Sequence, residues 1–486
     1  MNNAEATTDP AGYYQNVLAN PLLAPLANFP SGDELKKQLE HLPPVPNAAV
    51  RAFPAASRLT LLTKLRHIHV PLGRDVQLAA LLIEMIRDGY SSRPPTAAAI
   101  ARRASQVAAF AECMADPWAE GVDFEAVGAA LIGMSGSGKT RTLKRVLRLL
   151  AQIVEFDVRK NPLLPAKMIT YMCVECPSNH SRGALISSIF TAIEKVTGEK
   201  LPPKLKDGNV SQVVENVAQA CLDVCLGVLI IDEIQHILRR DGEPEPQLLN
   251  FLVELGNKLQ IPILIVGTPL AQKVVGNQMR QARRMLGPEW SNLKKDKPQW
   301  ADFIGKLWKY QFTAGFTPFE EVSDKFYELT QGVPALAVTL FRVAQRYAIE
   351  MEGSLPKAAI SDGLLQAVYD DHFKIVDPMV KALASGDPER ISLYEDLKLD
   401  GKMIEEELLR NLADYKDKCR IKMVRTATNA YKRGRKLVKA AVGREANALA
   451  NTYAAEAATT TKLLDAHRKA IAEGTDPAQA VSNAAA

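Results

Sequence analysis

Gly133-Met134-Ser135-Gly136-Ser137-Gly138-Lys139-Thr140 decides the fold. It fits G-x-x-x-x-G-K-[ST] with no mismatch, and it sits between an apolar, strand-sized run, Val127 to Ile132, and a helical pattern from Lys139 to Ile153. The glycines let the backbone turn tightly enough for its N–H groups to point at phosphate oxygens. The N-terminus of the following helix presents further N–H groups to the same anion. Lys139 is the cation for the β- and γ-phosphates, and the Thr140 hydroxyl is a ligand for Mg²⁺. Gly133, Ser135, Gly136, Ser137, Gly138, Lys139 and Thr140 are therefore read as the residues that hold ATP.

Working outward, a second strand ends in two acids, Val228-Leu229-Ile230-Ile231-Asp232-Glu233, with Asp232 lying 93 residues beyond Lys139. Asp232 at a buried strand tip can join Thr140 in holding Mg²⁺, and Glu233 is spaced to polarise an attacking water, which points to hydrolysis. A third strand, Ile263-Leu264-Ile265-Val266-Gly267-Thr268, ends in a hydroxyl that can touch the γ-phosphate or the water. Further strand and helix patterns lie over Met168 to Val174, Gly183 to Val196, Val210 to Leu222 and Gln247 to Lys258. Short apolar strands alternating with amphipathic helices predict an α/β fold, a parallel sheet with helices on both faces.

The 486 residues divide into four expected parts. Residues 1–95, rich in proline, form a helical N-terminal module for partner docking. Residues 96–318 form the ATPase core, 319–400 a helical lid and the segment after it, and 401–486 a basic helical extension with a frayed end. In the N-terminal part, Ser57 to His67 and Val76 to Asp88 have helical spacing. At 47% hydrophobic and 24% charged residues the composition is that of a globular protein. No apolar run approaches the ~20 residues of a membrane span, and the N-terminal residues carry no secretory pattern, so the expectation is a bacterial cytoplasm with its six cysteines reduced. Charge is uneven. Between Lys416 and Arg444 stand eleven Lys or Arg against the single acid Asp417, a net +10, so the rest of the chain carries −5. Such a segment suits DNA or an acidic partner.

The order of phosphate loop, Asp-Glu strand, Thr-ended strand, the arginines of Gln278 to Met285 and an all-helical remainder resembles the AAA+ ATPases. Finer strings resemble the TnsC/TniB family of bacterial transposition regulators: Asp232-Glu233-Ile234-Gln235-His236, Glu175-Cys176-Pro177, Leu329-Thr330-Gln331-Gly332-Val333-Pro334, Val368-Tyr369-Asp370-Asp371 and Gly89-Tyr90-Ser91-Ser92-Arg93-Pro94. The resemblance covers roughly Leu59 to Leu399. It implies an AAA+ core, a homo-oligomeric ring or filament, and Arg283 or Arg284 reaching a neighbouring subunit's γ-phosphate. It also implies double-stranded DNA bound without strong sequence preference, a TnsB-like transposase and a TniQ/TnsD-like target-selection protein as partners, and hydrolysis that disassembles the complex. Lys167, Asn179, Ser181 and Arg182, around the loop that faces the pore in ring ATPases acting on DNA, are the expected backbone contacts. One departure concerns the lid, where many AAA+ proteins carry an arginine just after the position of Gly332-Val333-Pro334. Here that position is Ala335, with Arg342 two turns later, so slow hydrolysis is expected. The alternatives are a DNA-bound scaffold that barely turns over and a helicase-loader-like AAA+ protein.

Overall fold

The computed structural model describes residues 19–97, 100–101, 128–177, 182–198, 210–237, 261–271, 287–288, 290–352, 359–394, 458–459 and 461–485. Its strands are β1 (Gly128–Ile132), β2 (Ile153–Glu155), β3 (Lys167–Ile169), β4 (Tyr171–Glu175), β5 (Val228–Asp232) and β6 (Ile263–Gly267). Four of them form a parallel sheet in the order β1-β6-β5-β4, while β2 and β3 pair antiparallel beside it. β6 is buried throughout and β5 along all but its last residue, as expected for strands covered on both faces.

Strand periodicity divides these side chains between two cores. Leu229, Ile231, Ile263 and Ile265 face a cluster completed by the helices Arg182–Thr197 and Val210–Asp223. Val228, Ile230, Leu264 and Val266 face a cluster completed by the helices Lys139–Leu147 and Gly73–Ser91 and by Leu22, Leu26, Leu35 and Leu39. A third core belongs to the lid helices Ser323–Thr330, Pro334–Glu350, Asp362–His372 and Asp377–Ser385. There Trp308 packs on Phe341 with ring centroids 4.6 Å apart and planes tilted by 31°, and Phe341 is fully buried, worth about 1.5–3 kcal/mol of transfer free energy. Leu62, Leu65, Ile68 and Val70 belong to the lid core, and the buried Arg58 forms a bidentate ion pair with Glu352. The described residues before 95 thus pack on both the sheet and the lid.

Three local expectations change. The helix from Lys139 stops at Leu147 rather than reaching Ile153, because the β-branched pair Ile153-Val154 enters β2. The strand expected over Met168 to Val174 is divided at Thr170, whose N–H donates to Gln152 O while its carbonyl accepts from Val228. Pro477–Ala485 forms a helix where fraying was expected. The helix expected over Gln247 to Lys258 lies outside the described residues. Among the described residues no helix is long and apolar enough to cross a membrane.

Candidate functional site

The C-terminal edge of a parallel sheet gathers the loops that follow its strands, and here three strand tips meet one cavity of about 280 Å³. Its polar side holds Ser135 to Thr142, Asp232, Glu233, Gln235 and Thr268. Its apolar side is lined by Ile68, Val70 and Leu72 before the sheet, with the polar His69, Arg74 and Asp75 in the same stretch, and by Phe303, Pro334, Ala335 and Val338, the last three at the start of the lid helix. The phosphate-loop residues from Ser135, Asp232, Glu233 and Thr268, separated by up to 133 positions in sequence, are thus brought together.

The loop is folded tightly on itself. Ser137 Oγ donates to Met134 O at 2.6 Å, and Gly138 caps the helix at φ +100°, a conformation costly for any side chain bearing a Cβ. Lys139 Nζ donates to Gly133 O and, at 2.9 Å, to Met134 O. Burial pushes the Lys139 ammonium down to about 8; Glu233 and Asp232 pull the other way, and Arg74 adds to the lowering. Thr140 Oγ1 donates to Asp232 Oδ2 at 3.1 Å. Burial raises the Asp232 carboxyl, and the Glu233 charge adds to this, whereas hydrogen bonds from Glu233 N and Thr140 and the Lys139 charge oppose it. A hydroxyl beside a carboxylate is a hard-oxygen donor set that fits Mg²⁺.

Sequence reading missed the support beneath this loop. Arg74, buried near the start of its helix, donates to Ser137 O at 2.8 Å and Ser291 O at 2.6 Å, with its guanidinium 4.7 Å from the Trp290 ring centroid. Trp290 Nε1 donates to the same Ser137 carbonyl at 3.0 Å. The neighbouring Asp75 accepts from Thr142 Oγ1 at 3.2 Å and from Leu72 N at 3.1 Å, joining the N-terminal helix to the phosphate-loop helix. Nothing in the local pattern around Arg74 or Trp290 marks these contacts, since both partners are distant in sequence. Gln235, inside the string Asp232-Glu233-Ile234-Gln235-His236, also lines the cavity. A buried polar residue between Ile234 and Ile237, two positions after the acid pair, was the available signal.

At the lid, Ala335 N donates to Gly136 O at 3.1 Å, so the lid helix starts directly on the phosphate loop. Its N-terminus, the positive end of the helix dipole, lines the cavity where an arginine was missing from the sequence. Arg342 is buried outside the cavity lining, and burial next to the cations Arg66 and Arg346 holds it down at about 10. Gly332, at φ +67°, lets the turn before that helix meet Leu293: a Cβ there would come 1.8 Å from Leu293 O.

Of the expected DNA contacts, Lys167 lies in β3. Its Nζ donates to Thr197 O at 2.6 Å, at the C-terminus of a helix, where the dipole favours a cation. Arg182 opens that helix; Asn179, Ser181, Arg283, Arg284 and the segment Lys416 to Arg444 lie outside the described residues.

A family model described as an AAA domain matches residues 124–275, the span that carries the whole sheet, the phosphate loop, Asp232, Glu233 and Thr268. The fold is an AAA+ P-loop core with helical additions, and the matched span is similar to AAA domains. No curated protein matches the chain. Among solved structures, ORC1 of Aeropyrum pernix in complex with DNA is similar at 17% identity over 63% of this chain and 82% of that one, with TM-score 0.33. Cdc6p of Pyrobaculum aerophilum is similar at 14% identity over 65% and 86%, TM-score 0.33. A Walker-type ATPase of Pyrococcus abyssi is similar at 14% identity over 64% and 88%, TM-score 0.32. At such scores nothing about function transfers from these structures.

Proposed function

We propose that the protein binds and hydrolyses ATP as an oligomer on DNA, and that it regulates DNA transposition. The observation that carries the ATPase reading is the convergence of Lys139, Thr140, Asp232, Glu233 and Thr268 on one cavity with a polar and an apolar side. The apolar side, Ile68, Val70, Phe303 and Val338, suits a nucleobase; the glycine loop and Lys139 suit the phosphates. Thr140 and Asp232 would hold Mg²⁺, which supplies charge neutralisation for the phosphates when bound. Glu233 accepts a proton from water as the water oxygen bonds to the γ-phosphorus and the bridging oxygen leaves with ADP. Thr268 orients the γ-phosphate or the water from the adjacent strand. Arg283 or Arg284 completes the site of a neighbouring subunit, making turnover depend on assembly.

The transposition reading is supported by the sequence strings shared with TnsC/TniB proteins and by the +10 segment, suited to phosphate backbones. In this account the assembly bridges a target-selection protein and a transposase. Electron microscopy and sedimentation with duplex DNA test it: assembly is expected with ATP and not with ADP, on unrelated duplexes alike, and with a TnsB-like transposase captured only by the ATP-bound form. Equal assembly with either nucleotide would remove the ATP-gated reading. Indifference of the transposase would leave a helicase-loader-like AAA+ protein.

A further inference from the structure

We propose that Gln235 is a positioning residue for hydrolysis, fixing the Glu233 carboxylate against the backbone of Thr268. This rests on the reading of Glu233 as the base. Gln235 lies in the single 3₁₀ turn Ile234–Ile237 that follows β5, and its side chain is 7% exposed. Its Oε1 accepts from Thr268 N at 3.2 Å, and its Nε2 donates to Glu233 Oε2. The amide orientation is set by chemistry, because a backbone N–H can only donate, so Oε1 faces Thr268 and the NH₂ faces the carboxylate. One side chain thereby connects the tips of β5 and β6, the two strands whose ends carry the proposed base and the proposed γ-phosphate contact.

The surroundings leave the amide little alternative. Glu233 has φ +57°, a left-handed conformation that a residue with a Cβ holds only where its neighbours enforce it. Its N–H donates to Asp232 Oδ1 at 3.0 Å, and its carbonyl accepts from His236 N at 3.0 Å, closing the turn. His236 Nδ1, 3.0 Å from Cys176 O, pins the turn to the end of β4. A Cβ on Gly267 would meet Ile234 Cγ2 at 2.8 Å and Gln235 Oε1 at 3.0 Å, so the slot holding the amide is filled. Two needs select the residue: an acceptor for Thr268 and a donor for Glu233, at the reach of three side-chain carbons. Glutamate would set carboxylate against carboxylate, and methionine would supply neither group.

The test is a double-mutant cycle on the full-length chain, with phosphate release, ATP affinity and thermal melting measured for each variant. Gln235→Met is expected to lower kcat by about 10- to 100-fold, the effect of a misaimed catalytic group, with ATP Kd within about twofold of wild type. Gln235→Glu, which preserves shape and the contact with Thr268, should show the same loss, and it carries the test if the Met variant does not fold. In the Glu233→Gln background either change should cost less than about twofold, because Gln235 acts through Glu233. An equal loss in both backgrounds, a loss confined to ATP affinity, or no loss in wild type overturns the proposal for Gln235. Full turnover by Glu233→Gln alone would instead overturn the assignment of the base.

Discussion

Lys139 ties the phosphate assignment to a measurable pH dependence. Phosphate pairs with the ammonium and not with the neutral amine, and burial has brought the ammonium down to about 8. ATP affinity should therefore be full below that value and fall as the pH rises through it. Between pH 7.5 and 9.5 the Kd for a fluorescent ATP analogue is expected to rise about tenfold or more. A flat profile would mean that Lys139 stays charged or does not meet the phosphates. Lys139→Ala should abolish binding and, with it, assembly on DNA. Below the loop, Arg74→Met is expected to weaken ATP about tenfold, since Ser137 O would keep its bond from Trp290 but lose the charged one. Unchanged affinity in that variant would reduce Arg74 to packing.

The turn from Gly332 into the lid helix packs directly on the backbone of Leu293. Gly332→Ala should destabilise the protein by about 2–4 kcal/mol, visible as a lowered melting temperature, because the positive φ and the Leu293 carbonyl leave no room for a methyl group. A melting curve like wild type would mean that the lid seats differently on the loop. The strands and the phosphate loop were legible in the sequence because their signals are local: glycine spacing, apolar runs of four to six, and acids at a strand end. Arg74, Trp290 and Gln235 were not assigned roles, because their partners are carbonyls and a backbone N–H supplied by the tertiary fold. The bond from Lys167 to Thr197 O likewise joins residues 30 positions apart, and nothing local to Lys167 announces it. Ile153 ends the helical pattern expected from Lys139, while its β-branched shape and its pairing with Ile169 place it in a strand.

The largest consequence is that no subunit should be complete alone. If the basic segment meets DNA as proposed, affinity should fall steeply with salt and vary little between unrelated duplexes, because lysine and arginine pair with the phosphate backbone and not with base edges. Replacing Lys432, Arg433, Arg435 and Lys436 with Gln separates two uses of the basic segment. A shallower salt slope places it on DNA, whereas an unchanged slope with lost transposition places it on a protein partner. Arg283→Ala and Arg284→Ala should leave monomer ATP affinity intact and lower turnover by about 10³-fold for whichever residue acts across the interface. Mixing that variant with Lys139→Ala subunits should restore part of the activity at mixed interfaces. Co-assembly without recovery would return both arginines to an ordinary basic surface. All of this depends on hydrolysis at the cavity beside Asp232 and Glu233. The decisive measurement is phosphate release by Glu233→Gln beside its ATP Kd. Kd should stay within about twofold of wild type while turnover falls by at least about 100-fold; wild-type turnover in that variant would show that Glu233 is not the base.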